Sequence, residues 1–120
     1  MKRTSPSLSS KVGNLGSAPF LYLTTRGRKT GRPREIEIWF TEREGHFYVL
    51  AEHETSNWVQ NLRADAEVRV RIGSESFAAQ ARVLRPEEDG RLCREIQKLS
   101  RRKYGWGDGL VVQLTRKGRR

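Results

Sequence analysis

REIEIWFT (34–41), EREG (42–45) and HFYVLA (46–51) read consecutively as strand, turn and strand. In the first segment Ile36, Ile38 and Phe40 alternate with Glu35, Glu37 and Trp39, the period of a half-buried strand. The polar EREG link is far too short for a parallel crossover, so the two runs predict an antiparallel hairpin.

The pattern repeats on both sides of this hairpin. Downstream, Glu67 to Ile72 places Val68, Val70 and Ile72 against Glu67, Arg69 and Arg71; Gly73-Ser74 turns the chain, and Phe77 to Leu84 follows with Phe77, Ala79, Ala81 and Val83 inward. Upstream, Phe20 to Thr25 (FLYLTT) is a β-type run broken by GRKTGRP, and Leu110 to Thr115 supplies a last strand. Two segments change period. In NWVQNLRA (57–64) Trp58, Asn61 and Leu62 share one face of a short helix that Ser56 or Asn57 can cap. Pro86 opens a longer helix with Glu87, Glu88 and Asp89 in its first turn and Leu92, Ile96 and Leu99 as its stripe, before a glycine-rich loop, KYGWGDG. The fold class expected is therefore mainly β: a single split β-barrel of about six antiparallel strands with one short and one longer helix. Residues 1–17 read as a loose arm with a helical turn around Ser10 to Leu15, 18–116 as the barrel domain, and 117–120 as a basic tail.

A chain of 120 residues, 35% hydrophobic and 32% charged, supports one core of modest size. The net charge, 24 − 14 = +10, suits a polyanionic partner: a nucleic acid, an anionic membrane surface or a phosphorylated cofactor. No run approaches membrane-spanning length, and no apolar stretch of signal-peptide type follows the first residues, so a cytoplasmic protein is expected. Cys93 is the only cysteine, which excludes an intramolecular disulfide and suits a buried structural thiol. No Cys/His cluster has metal-ligand spacing, and no Ser/His/Asp, Cys/His or paired-carboxylate constellation offers side-chain catalysis; His46 and His53 read as exposed histidines. The densest chemical signal is the loop Gly27 to Arg34, where Arg28, Lys29, Thr30, Gly31 and Arg34 combine cationic forks with mobile backbone N–H groups. It lacks the spacing of a P-loop, and composition alone fits an ordinary charged hairpin loop equally well.

LYLTTRGRKTGRPREIEIWF, then YVLAEHETSNWVQNLRADAEVRVRIG, then ARVL, over roughly residues 20 to 85, resemble the deazaflavin-dependent nitroreductase family, also called the F420H2-dependent quinone reductase family. That resemblance implies a split β-barrel that binds coenzyme F420, an 8-hydroxy-5-deazaflavin with a phosphodiester and a polyglutamate tail, and passes a hydride to an organic acceptor such as a quinone or nitro compound. It implies that Arg28 and Lys29 meet the phosphate or tail, that Thr30 and Gly31 add donors, that Arg34 supports the same end, and that Trp58 and Asn61 lie beside the ring. Tyr104 is the candidate catalytic residue, as a proton or hydrogen-bond donor to the acceptor. The stretch Glu54-Thr55-Ser56-Asn57-Trp58 departs from the family, where many members carry a lysine and an Asn-Pro pair, so FMN or FAD stands as an alternative cofactor. Two other readings compete: a split-barrel protein that binds FMN, FAD or another ligand without turnover, and a single-stranded nucleic-acid binder using Trp39, Tyr48 and Trp106. A homodimer is expected, because so small a barrel leaves an apolar face to cover.

Overall fold

The computed structural model describes residues 15–118. Seven strands form one sheet: β1 (Leu21–Arg26), β2 (Pro33–Ile38), β3 (Phe40–Arg43), β4 (His46–Ala51), β5 (Glu67–Ile72), β6 (Glu75–Val83) and β7 (Leu110–Arg116). Helix α1 spans Asn57–Ala64 and α2 spans Pro86–Tyr104. The order across the sheet is β2-β1-β5-β6-β7-β4-β3, with every neighbouring pair antiparallel.

The expected single strand over Arg34 to Thr41 is two strands. Residues 33–38 pair with β1, while residues 40–43 pair with β4. Alternation reports which way side chains face, not which strand they bond to, so the change of partner leaves the period intact. This gives seven strands rather than about six, and it shapes the sheet. β2 and β3 are its opposite edges, yet only Trp39 separates them in sequence. The sheet must therefore curl until its first and last strands meet at that residue, closing one corner and leaving the rest split. The hairpin between β3 and β4 turns at Glu44 and Gly45, both with positive φ, as the twist of such a turn requires.

Leu21, Leu23, Val68, Val70, Phe77 and Leu114 fill the inside of the curl. β4 is buried on both sides, which is why HFYVLA shows no alternation: Phe47 and Val49 point inward, Tyr48 and Leu50 outward. The outward pair meets α2 through Cys93 and Ile96, and Leu92 and Leu99 pack beside them half-buried. Cys93 is a free, buried thiol; burial and the nearby Asp89 charge both push its pKa upward, as an inert structural thiol requires. Helix α2 reaches one turn further than expected, so Lys103 and Tyr104 belong to it and not to the following loop. Leu15–Ser17 form a 3-10 turn, with Leu15 packed on the core; the rest of the expected N-terminal arm lies outside the described residues.

Candidate functional site

The loop between β1 and β2 is held by its own backbone. Gly27 N–H donates to the Arg32 carbonyl at 2.8 Å and Gly31 N–H to the Gly27 carbonyl at 2.7 Å, while Thr30 Oγ1 accepts the Arg32 N–H at 3.1 Å. A Cβ at Gly27 would lie 3.0 Å from Thr30 Oγ1 and 3.1 Å from the Arg32 carbonyl, so a larger residue would push the loop apart by a few tenths of an ångström.

Helix α1 fixes the direction of the loop's first cation. Asn61 is 3% exposed, and its Oδ1 accepts both the backbone N–H of Arg28 at 3.1 Å and the guanidinium Nη1 at 2.8 Å. Its Nδ2 donates to Thr25 Oγ1 at 3.2 Å, tying the same side chain to β1. The Asn57 carbonyl and side chain hold the outer edge of the guanidinium at 3.5 and 3.4 Å. Asn57 thus serves Arg28, while Ser56 is the N-cap position without a side-chain capping bond. The sequence marks Asn61 but not these partners, because its bonds span 33 and 36 residues and no local pattern carries that distance.

Two grooves meet at α1. The first, about 730 Å³, is lined by Arg28, Lys29, Thr30, Arg34, Asn57 and Asn61 among others. Among the described residues neither Arg28, Lys29, Arg32 nor Arg34 is paired with a carboxylate, whereas Arg26 bridges to Asp65 at 3.3 Å and Arg71 to Glu35 at 3.8 Å. The second, about 750 Å³, has apolar and aromatic walls that include Ile38, Trp39, Phe40, Tyr48 and Trp106. Ile36 and Trp58 line both, so the basic groove runs into the aromatic one past the Trp58 indole. Thr41 stands in the wall of the second groove; it is 5% exposed, and among the described residues its Oγ1 has no hydrogen-bond partner.

Of the residues singled out in the sequence, the structure therefore brings Arg28, Lys29, Thr30, Arg34, Trp58 and Asn61 to one groove. Gly31 faces the other side of the loop, beside Arg26 and Asp65. Tyr104 lines neither groove. Its hydroxyl accepts the Phe40 N–H at 3.2 Å and donates to the Pro19 carbonyl at 2.8 Å, with the Phe40 carbonyl a second acceptor at 3.0 Å. Burial raises its pKa against the lowering effect of the Phe40 bond, so the phenol stays a donor. Its ring stacks on Trp39 with centroids 4.5 Å apart and planes 2° from parallel. Lys103 completes this corner by donating to the carbonyls of Gly16, Ala18 and Phe40 at 3.1, 2.9 and 2.9 Å. Burial lowers its pKa. Both side chains brace the closed corner of the barrel and present Trp39 to the groove. The loop after α2 is tied down by Ser100 Oγ to the Trp106 carbonyl at 2.6 Å and Gln97 Nε2 to the Gly109 carbonyl at 3.1 Å, which sets Trp106 in the groove wall.

Other sequence candidates fall elsewhere. Tyr48 is 1% exposed and its hydroxyl accepts from Gln113, so it is not offered for stacking on a nucleic acid. His46 Nδ1 lies 3.1 Å from Thr115 Oγ1. Among the described residues no group of three or more His, Cys, Asp or Glu side chains could hold a metal ion. No described helix is long and apolar enough to cross a membrane.

The sequence profile of a family described as F420H(2)-dependent quinone reductase matches residues 2–107. An F420H(2)-dependent quinone reductase from Mycobacterium tuberculosis is 28% identical over 78 residues, 61% of this chain and 52% of that protein. This chain thus spans about half the length of the curated relatives it matches. Among solved structures, the heme storage protein HutZ from Vibrio cholerae superposes with a TM-score of 0.75 at 17% identity, covering 95% of this chain and 93% of that one. An F420-H2 dependent reductase, FDR-A, superposes with a TM-score of 0.62 at 23% identity, covering 80% and 92%. At these identities the superpositions speak for the fold alone.

Proposed function

This chain belongs to the F420H(2)-dependent quinone reductase family, and from that premise we propose that it is an oxidoreductase using coenzyme F420 to reduce a quinone-like or nitroaromatic acceptor. The observation that carries the reading is the junction of the two grooves. A cationic loop without carboxylate partners, its Arg28 pre-oriented by Asn61, opens directly onto an aromatic slot at Trp58. A ligand with an anionic tail and a flat ring fits that sequence of surfaces, and coenzyme F420 has that form. Arg28, Lys29 and Arg34 would hold the phosphate and tail, Thr30 would add a hydroxyl, and Trp58 would face the ring. Asn61 acts one step back, because both lone pairs of its Oδ1 are engaged by Arg28.

Bound deazaflavin supplies hydride chemistry; the protein supplies orientation and a water-poor wall. Trp39, Phe40 and Trp106 exclude water from the slot in which an acceptor would lie against the ring. Tyr104 contributes by holding Trp39, its hydroxyl being committed to backbone at Pro19 and Phe40. FMN or FAD would place a phosphate on the same loop, and both are included in the test.

The test is the variant Arg28→Ala with Lys29→Ala, titrated with coenzyme F420, FMN and FAD by tryptophan fluorescence alongside a thermal melt. F420 affinity should fall at least about tenfold, since hydrogen bonds to charged groups contribute about 1.5–3 kcal/mol each. The fold should persist, because both side chains are exposed and Asn61 keeps the residue 28 backbone N–H as a partner. A folded variant with unchanged F420 affinity would remove the basic groove from the site. Tighter binding of FMN or FAD than of F420 by the unmodified protein would replace the cofactor.

A further inference from the structure

The two grooves differ in charge as well as in shape. Among the described residues no lysine or arginine lines the aromatic groove, although the chain carries 24 of them, and the Lys103 ammonium 4.2 Å over the ring of the wall residue Phe40 is committed to three backbone carbonyls. The groove's charged side chains are instead Glu37, from β2, and Glu52, just after β4, with His53 as the remaining titratable group beside Tyr48. Most carboxylates of this basic chain meet a cation, as Glu95 meets Arg43 at 2.8 Å and Asp108 meets Arg101 at 3.3 Å. Among the described residues Glu37 and Glu52 meet none. In a molecule of net charge +10, two unpaired carboxylates beside one apolar groove make it a local exception to the surrounding field.

We propose that Glu37 and Glu52 set the charge specificity of the aromatic groove, so that it admits neutral or cationic flat acceptors and rejects anionic ones of the same shape. This rests on the groove being the acceptor site of the proposed reaction. Local charges decide the matter because the Debye length is roughly 8 Å at about 0.15 M salt, so distant arginines are screened while carboxylates at the groove are not. In water-like surroundings one charge at about 6 Å changes affinity about threefold, and two act together. The arrangement also separates the ends of the cofactor: its anionic tail is drawn to the basic groove and repelled from this one.

The probes are 1,4-naphthoquinone and its 2-sulfonate, titrated into the full chain without cofactor, with tryptophan quenching as the readout. Measurements at about pH 8 keep imidazole charge out of the comparison. Replacing both carboxylates, Glu37→Gln with Glu52→Gln, should tighten the sulfonate about five- to tenfold at about 0.15 M salt and leave the neutral quinone within about twofold. Most of that difference should vanish at about 0.5 M salt. A sulfonate affinity that does not change, or an equal change for both quinones, would overturn the assignment. So would a neutral quinone that fails to bind the unmodified protein. Because no cofactor is present and Glu37 and Glu52 lie outside the basic groove, these outcomes are read separately from the Arg28 and Lys29 comparison, which alters the basic groove alone.

Discussion

Three of the four hydrogen-bonding positions of the Asn61 amide are engaged by its neighbours, and that makes it the residue on which the shape of the basic loop depends. Replacing it with leucine keeps approximate volume but leaves the buried Thr25 hydroxyl and the part-buried Arg28 N–H without this partner. The expected loss is about 1–3 kcal/mol, read from the urea midpoint, together with weaker cofactor binding as the guanidinium loses its orientation. Thr41 gives the opposite expectation. Among the described residues its buried hydroxyl has no hydrogen-bond partner, so Thr41→Val should leave the thermal midpoint unchanged or raise it slightly. A midpoint several degrees lower would mean that the hydroxyl has a partner. At this scale the sequence was partly readable. Helical spacing put Trp58, Asn61 and Leu62 on one face, and Asn61 and Leu62 are indeed buried there. That Asn61 reaches Arg28, or that Tyr104 reaches Pro19 across 85 residues, depends on tertiary contacts to which periodicity is blind.

Among the elements, α2 shows best how charge and backbone geometry combine. The helix is kinked at Asp89, whose φ of −116° and ψ of 26° leave the helical range. Its carboxylate accepts the Arg85 N–H at 3.1 Å and Arg82 Nη1 at 3.3 Å. The Arg85 backbone bond, foremost, and the Arg82 guanidinium hold the Asp89 pKa below its ordinary 3.8, against a partial opposing effect of burial. The depressed value fixes the sign: the stabilisation is complete above the ordinary carboxylate range and is lost as pH falls through the folded-state value. The thermal midpoint should therefore drop more steeply for the unmodified protein than for Asp89→Asn between about pH 5 and about pH 2.5. Parallel curves would exclude Asp89 as a contributor. Pro86 and the acidic first turn made the start of this helix legible, and the apolar stripe gave its buried face. Its end was read too early, because Lys103 and Tyr104 look like loop residues until the barrel corner supplies carbonyls and a tryptophan for them to hold.

For the molecule as a whole, the basic and aromatic grooves predict a difference between ligands. Salt should weaken binding of coenzyme F420 more than binding of a deazaflavin lacking the tail, since screening acts on the exposed cations and not on ring burial. Because Thr55 and Ser56 carry no charge near the tail, the expected difference is modest. Calorimetric titration of both ligands at low and high salt measures it, and equal slopes would detach the tail from Arg28 and Lys29. The barrel itself was legible because hairpin connections exclude parallel crossovers, whereas the order of its strands was not, since alternation names faces and not neighbours. That order has one more consequence. β7 lies between β6 and β4, so it is the only strand joining β2-β1-β5-β6 to the β3–β4 hairpin within the sheet. Of these seven strands it is also the last to leave a ribosome. Until residues 110–116 emerge, the nascent chain holds a four-stranded piece and a hairpin connected through Trp39 but not hydrogen-bonded to each other. Completion of the barrel thereby waits for residues 110–116, and a stop codon shortly before Leu110 would yield two unjoined sheets with open edges, a substrate for proteolysis rather than a shortened barrel.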